Sequence, residues 1–168
     1  AMLMRDSNIH MHLLCSTRSK SKSSKKLVQV GIRDYCEQEY ELVKNSNGRV
    51  VSFYDRDIKS RVYEGESWRD ISNRILAELP QNVYVSFDVD GLDPKLCPNT
   101  GTPVPGGLEF EQAVFVVKQL VAQGKTIIGF DVNEVAPGED DEWDANVGAR
   151  LVYRLANLAA LSRNLKPV

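Results

Sequence analysis

The sequence predicts an α/β fold in which a mostly parallel sheet is flanked by helices. From Leu27 onward, β-rich segments alternate with amphipathic helical stretches, and the connections are long enough to return each strand in the same direction. The length of 168 residues, with 42% hydrophobic and 26% charged residues, suits one globular domain. Ligands of such sheets bind beyond the carboxyl ends of the strands, so we expect the functional residues there.

Four segments have the alternating or β-branched pattern of strands, at residues 27–32, 49–53, 83–89 and 126–130. Helices are predicted between them. The first begins at Asp34, with Glu37 three residues later, and the second opens at Ser67 with Asp70. The apolar stripes of the last three helices are Trp68, Ile71, Ile75 and Leu79, then Phe110, Ala113, Val114, Val117, Leu120 and Val121, then Val147, Leu151, Leu155 and Leu158.

The composition argues against several classes of protein. The net charge of −2 does not indicate a nucleic-acid partner. Cys15, Cys36 and Cys97 are odd in number and lack C-x-x-C spacing, which argues against a disulfide framework or a zinc cage and fits a reducing cytoplasm. No apolar run approaches the roughly 20 residues of a membrane span. The N-terminus lacks the pattern of a signal peptide, so we expect a cytoplasmic protein.

Residues 1–26 differ in composition from the rest of the chain. The run at residues 16–26 is polar, basic and without periodicity, and residues 1–26 are therefore predicted to form a disordered arm. A nucleic-acid-binding tail is the alternative, but no aromatic residues are interleaved with its lysines. The globular part is therefore expected to comprise residues 27–168.

Asp88 and Asp90 stand at the carboxyl end of the third predicted strand. Because side chains alternate across a strand, both carboxylates should project to one face, about 6–7 Å apart. Carboxylates held this close repel each other unless a cation lies between them, and their oxygens suit Mg²⁺, Mn²⁺ or Ca²⁺. From D-x-D alone, a pair of turn or cap aspartates is an equally good interpretation, since Asp is common in turns.

A loop rich in proline and glycine follows at residues 93–107. Irregular loops longer than about 12 residues in compact domains are usually functional or disordered. Glycine lets backbone approach a ligand closely, as the wall of an active site requires. The loop therefore favours a functional site over a simple connection.

Residues 86–107 closely resemble the signature of arginases and agmatinases, the ureohydrolase family, with S-F-D-V-D-G-L-D-P, T-G-T-P and P-G-G in order. The resemblance implies an arginase-like fold and a pair of manganese ions bound by Asp88 and Asp90, one of which bridges them. It also implies a metal-bound hydroxide that attacks a guanidinium carbon, and a position for Thr102 near the guanidino group. Asn99 stands where the family usually has a small residue such as glycine, and we expect it to adjust the loop.

The second functional strand end is expected at residues 129–137, G-F-D-V-N-E-V-A-P. Asn133 occupies the place of a second aspartate, which makes this strand a poorer metal site. A lone Glu134 would usually be a surface residue, but its E-V-x-P context resembles the element of the family that binds guanidinium, and a carboxylate can hold that ion in bidentate fashion. Asp144 is predicted to cap the last helix.

The resemblance covers the C-terminal part of the family fold, and neither G-G-D-H-S nor D-A-H-x-D, which supply further metal ligands in the family, occurs in these residues. His10 and His12 lie too close to Asp88 in sequence to match the family's spacing. We therefore expect one of two functions: manganese-dependent hydrolysis of a guanidino compound, agmatine or arginine, to urea and an amine, or a catalytically incomplete relative acting through subunit contacts. A metal-dependent deacetylase fits the T-G-T-P loop and Glu134 less well. A homo-oligomer is expected, because the sheet would otherwise expose an apolar face and an edge.

Overall fold

The structure, a computed structural model, describes residues 2–5, 26–139 and 141–164. Strands and helices alternate along most of it. The strands are β1 (Met2–Arg5), β2 (Leu27–Ile32), β3 (Val50–Tyr54), β4 (Asn82–Asp88) and β5 (Thr126–Asn133). The helices are α1 (Glu37–Lys44), α2 (Asp55–Tyr63), α3 (Trp68–Ala77), α4 (Phe110–Ala122) and α5 (Trp143–Ser162), and a single 3₁₀ turn (Val89–Gly91) follows β4.

The five strands form one sheet in the order β3-β2-β1-β4-β5. The pairs β2–β3 and β4–β5 are parallel, which confirms the predicted α/β class with parallel strands flanked by helices. β1 lies between these pairs and runs antiparallel to both of its neighbours. Met2–Arg5 belongs to the predicted disordered arm but forms a strand, so the prediction is wrong for these four residues. The predicted arm from residue 6 to residue 25 lies outside the described residues.

Local sequence accounts for where several helices begin. α3 starts after Ser67, whose hydroxyl accepts a hydrogen bond from the backbone N–H of Asp70, as predicted. α1 begins two residues later than predicted, because the side chain of Glu39 accepts from the backbone N–H of Cys36 and so caps the helix there. α2 was not predicted. Its short length and its polar residues left only a weak apolar stripe, of which Ile58 is buried.

One face of the sheet carries the hydrophobic core. The buried strand side chains on this face are Val28, Val30, Val83, Val85, Phe87 and Ile127, and residues from α3, α4 and α5 pack into the same cluster. Complete burial of a side chain as large as Phe87 contributes about 1.5–3 kcal/mol. This packing fixes β4 and β5 side by side, so their carboxyl ends meet at one edge. No helix within the described ranges has both the length and the apolar character needed to cross a bilayer.

Candidate active site at the carboxyl ends of β4 and β5

Asp88, Asp90 and Glu134, three of the predicted site residues, lie where β4 and β5 end. Asp88 is the last residue of β4 and lies opposite Asn133, the last residue of β5. Glu134 follows at once, with a positive φ of 64°. Side-chain alternation predicted that Asp88 and Asp90 lie on the same strand. In the structure β4 ends at Asp88, and Asp90 lies in the 3₁₀ helix that follows. The expectation of two aspartates on one strand is therefore wrong.

The electrostatics of Asp88 show that three carboxylates share this region. Burial raises the pKa of Asp88 above its ordinary value, and the negative charges of Asp90 and Glu134 raise it further. A hydrogen bond from Asn133 to the Asp88 carboxylate opposes these effects by stabilising the charged form. A cation bound here would relieve both the burial and the repulsion, so the arrangement suits a metal or a guanidinium ion.

The donor chemistry of Asp88 and Asp90 fits manganese, since carboxylate oxygens suit hard divalent cations. Their number does not complete a site. Within the described ranges, no group of three or more His, Cys, Asp or Glu residues is arranged to hold a metal ion. Octahedral ions of this kind take about six ligands each. His10 and His12 lie outside the described residues. Asp88 and Asp90 would therefore supply only part of a coordination sphere.

A polar network on β4 and β5 supports Asp88. The carboxylate of Asp131 accepts hydrogen bonds from the Tyr84 hydroxyl (2.8 Å), the Ser86 hydroxyl (2.6 Å) and the Asn133 side chain (2.5 Å). The same Asn133 amide group lies 3.2 Å from Oδ1 of Asp88. Asn133 was judged from sequence only as a poorer ligand than aspartate. The structure shows that its amide can donate to Asp88 and Asp131, which a second carboxylate could not do.

The loop after β4 is closed at its base by backbone pairing. The N–H of Asp93 donates to the carbonyl of Leu108 (2.9 Å), and the N–H of Leu108 donates to the carbonyl of Gly91 (3.1 Å). Gly107 has φ +96°, and a Cβ at this position would lie 2.5 Å from the carbonyl oxygen of Leu92. Glycine is therefore required at position 107 by the close approach of the two ends of the loop.

Two side-chain contacts tie this loop to the β5 end and to α5. The hydroxyl of Thr100 donates to the carbonyl of Glu134 (3.0 Å). Asn99 donates to the Asp144 carboxylate from its backbone N–H (3.0 Å) and from its side-chain amide (3.1 Å). Asp144 was predicted as the cap of α5, which is wrong, because Glu142 holds the cap position and Asp144 lies buried in the first turn. Thr102 lies exposed two residues beyond Thr100.

Four contributors were missed from sequence: Thr100, Asp131, and the strand-end residues Arg33 and Asp55. Thr100 belongs to T-G-T-P and Asp131 to F-D-V, so the motifs contained a signal for both. Asp55 is a buried carboxyl group and Arg33 makes several contacts to the loop. Each of these two charged residues lies within two positions of the end of a predicted strand, at residue 32 or residue 53, and this was the available signal.

Comparison with known proteins decides the family. The family model described as the arginase family matches residues 4–157. The chain belongs to the arginase family. This confirms the resemblance found at residues 86–107.

Individual members of the arginase family show the extent of the similarity. Arginase-1 of Oryctolagus cuniculus is 30% identical over 150 residues, which are 87% of this chain and 45% of that protein. Guanidinobutyrase of Pseudomonas aeruginosa is 32% identical over 138 residues, 77% of this chain and 39% of that protein. The crystal structure of a hypothetical agmatinase from Burkholderia thailandensis superposes with a TM-score of 0.63 at 33% identity, covering 82% of this chain and 39% of that one. The chain thus spans less than half the length of these relatives.

Proposed function

We propose that this chain provides the Asp88, Asp90 and Glu134 side of an active site that hydrolyses a guanidino compound to urea and an amine with manganese. The observation that carries the proposal is the meeting of three carboxylates at the adjoining ends of β4 and β5, where the pKa of Asp88 responds to the charges of the other two. Membership of the arginase family supports the same reaction.

Each residue has a distinct proposed role. Asp88 and Asp90 hold the metal side, and the metal, when bound, supplies a hydroxide at neutral pH. Glu134 binds the planar guanidinium by paired charge-assisted hydrogen bonds. Its positive φ and the contact from Thr100 to its carbonyl fix the backbone from which this carboxylate projects. Thr102, on the same loop, lines the guanidino group.

The remaining expectations also stand as proposals. The protein is proposed to act in the cytoplasm as a homo-oligomer and to bind a small guanidino substrate, with no nucleic acid or membrane partner. The relatives are named arginase, guanidinobutyrase and agmatinase, so arginine, 4-guanidinobutyrate and agmatine are the substrates to test.

Binding of Mn²⁺ and release of urea test the proposal in the purified 168-residue chain. We expect the wild type to remove the electron paramagnetic resonance signal of free Mn²⁺ and to release urea from one of the three compounds. Asp88→Ala should abolish both. Glu134→Gln should retain Mn²⁺ binding and lower kcat/KM by about a hundred-fold or more, in the range found when one charge-stabilising group is removed. Asp57→Ala, an exposed change on α2, is the matched control and should alter neither.

The second candidate function is a catalytically incomplete relative that acts through subunit contacts. It is favoured because the described residues contain no group of three or more His, Cys, Asp or Glu side chains arranged to hold a metal ion. Weak or undetectable Mn²⁺ binding by the wild type, with no urea released from any of the three compounds, would support this candidate and contradict the first.

A further inference from the structure

Arg33, immediately after β2, contacts both ends of the loop that leaves the active site. Its Nη2 donates to the carbonyl of Asp90 (2.5 Å) and lies 3.4 Å from that of Leu92, and its Nη1 donates to the carbonyl of Gly91 (3.2 Å). Its Nε donates to the carbonyl of Val104 (3.1 Å), near the far end of the loop. One guanidinium therefore joins the 3₁₀ turn that contains Asp90 to the Pro-Gly segment.

This set of contacts depends on the shape of the arginine side chain. A guanidinium presents five N–H donors in a rigid plane, whereas a lysine ammonium presents three donors at one point. Backbone carbonyls outside helices and strands require hydrogen-bond donors from elsewhere, and charged donors form stronger hydrogen bonds than neutral ones. A lysine at position 33 could keep the charge but could not reach the turn and Val104 together.

Asp55, immediately after β3, contacts the C-terminal end of the same loop. Its side chain is 5% exposed, and its Oδ2 accepts a hydrogen bond from the N–H of Gly107 (3.1 Å). Gly106 has φ +100°, and a Cβ there would lie 2.7 Å from Oδ2 of Asp55 and 3.1 Å from Cδ of Arg33. The loop backbone thus passes directly against both charged residues, which come from the ends of neighbouring parallel strands.

We propose that Arg33 is a positioning residue for the metal-binding strand end. It holds the carbonyls of the 3₁₀ turn so that Asp90 is presented beside Asp88, while Asp55 fixes the end of the loop at Gly107. This inference rests on the proposed function, because it gives Arg33 its role through Asp88 and Asp90. According to this inference, metal binding requires a pre-formed turn between the end of β4 and the loop, in addition to the two aspartates.

The test compares Arg33→Lys and Arg33→Met with the control Arg56→Met, whose side chain is 87% exposed on α2. Amide hydrogen exchange is measured on the metal-free chain, and Mn²⁺ affinity by electron paramagnetic resonance. We expect both Arg33 variants to accelerate exchange at Asp93 and Leu108 about ten-fold or more while the amides of α5 keep their protection. We expect their Mn²⁺ affinity to fall about 10–100-fold, as for loss of an outer-shell partner.

Hydrogen exchange tests the role of Arg33, whereas Mn²⁺ affinity also tests the proposed function. If the wild type does not bind Mn²⁺, the metal role of Asp88 and Asp90 fails, while faster exchange at Asp93 and Leu108 in both variants still supports Arg33 as the residue that holds the turn. Unchanged exchange at these amides in both variants overturns the inference, whatever the wild type binds. Equal acceleration of amide exchange throughout the chain, or failure of both variants to fold, also overturns the inference. In either case Arg33 would stabilise the whole domain and not the turn in particular. Full recovery of both properties in Arg33→Lys would also contradict it.

Discussion

Burial determines which hydrogen bonds Asp144 requires and which protonation state Cys97 adopts. Asp144 is completely buried, which is costly for a carboxylate unless it is hydrogen-bonded, and the two bonds from Asn99 meet that requirement. Burial, together with the negative charge of Asp144, raises the pKa of the Cys97 thiol from 9.0 to about 12. The thiol therefore stays protonated at neutral pH and packs as an apolar group in the hydrophobic core.

Cys97 is predicted to resist thiol reagents in the native state, since the thiolate is the reactive form and this side chain is 1% exposed. Cys36 is exposed and serves as the internal control. In a Cys15→Ser background at pH 8, we expect one thiol to be labelled rapidly in native protein and two in urea. Rapid labelling of both without denaturant would contradict this prediction.

The same pKa shift fixes the sign of a pH effect on stability. The folded-state pKa is raised, so its contribution is fully present below pH 9, the unfolded value, and is lost as the pH rises towards about 12. The difference in free energy of unfolding between wild type and Cys97→Ala should therefore shrink above pH 9.

At the scale of elements, a loop of irregular backbone is held in one shape by contacts at its base. Gly106 and Gly107 both have positive φ, and both lack the space for a Cβ. Regular hydrogen bonds from Asp93 and Leu108 then close the ends of the loop. The loop can line a site because its ends are fixed by β4 and α4, which belong to the core.

Gly107→Ala should destabilise the protein more than Gly124→Ala. Both glycines have positive φ, 96° and 78°, but only Gly107 has backbone atoms within 4 Å of a Cβ. The conformational cost alone is about 1–2 kcal/mol, and overpacking adds about 1–3 kcal/mol at Gly107. Urea titration gives the two free energies of unfolding. Equal losses would show that the loop base accommodates the methyl group without strain.

At the scale of the whole molecule, β1 joins two parallel strand pairs into one sheet. β2–β3 and β4–β5 have no strand between them other than β1 in the described sheet. Leu3 is paired with Gln29 on one side and Ser86 on the other. Ser86 lies in the network that supports Asp88, so β1 lies directly beside β4, the strand that carries the candidate site.

Leu3→Pro should disrupt the sheet, whereas Leu3→Ala serves as the matched control. Proline removes a backbone donor from a central strand, where it is not tolerated, at a cost of about 3 kcal/mol or more by analogy with helix interiors. Alanine keeps that donor. Thermal unfolding followed by circular dichroism should show a much lower Tm for Leu3→Pro than for Leu3→Ala. Equal Tm values would place β1 outside the cooperative unit.

Much of the fold could be predicted from the sequence, because the hydrophobic periodicity of a strand or a helix is visible within a short segment of chain. The strand at β4 and the helices α3 and α4 began within a residue of where hydrophobic spacing and capping predicted them. α2 did not, since its apolar face is narrow. β1 was not predicted either, because a strand of four residues is too short to give a clear periodic signal.

The sequence by itself determined the family and the placement of Asp88 and Glu134 at the ends of two strands, since each motif is a continuous stretch of chain. Only the tertiary structure decided what holds those ends in place. Arg33 and Val104 are 71 residues apart, and Asn99 and Asp144 are 45 apart. Periodicity reports which face of an element is buried, but the partner of a buried charge depends on which distant segments the packed sheet brings to the same edge.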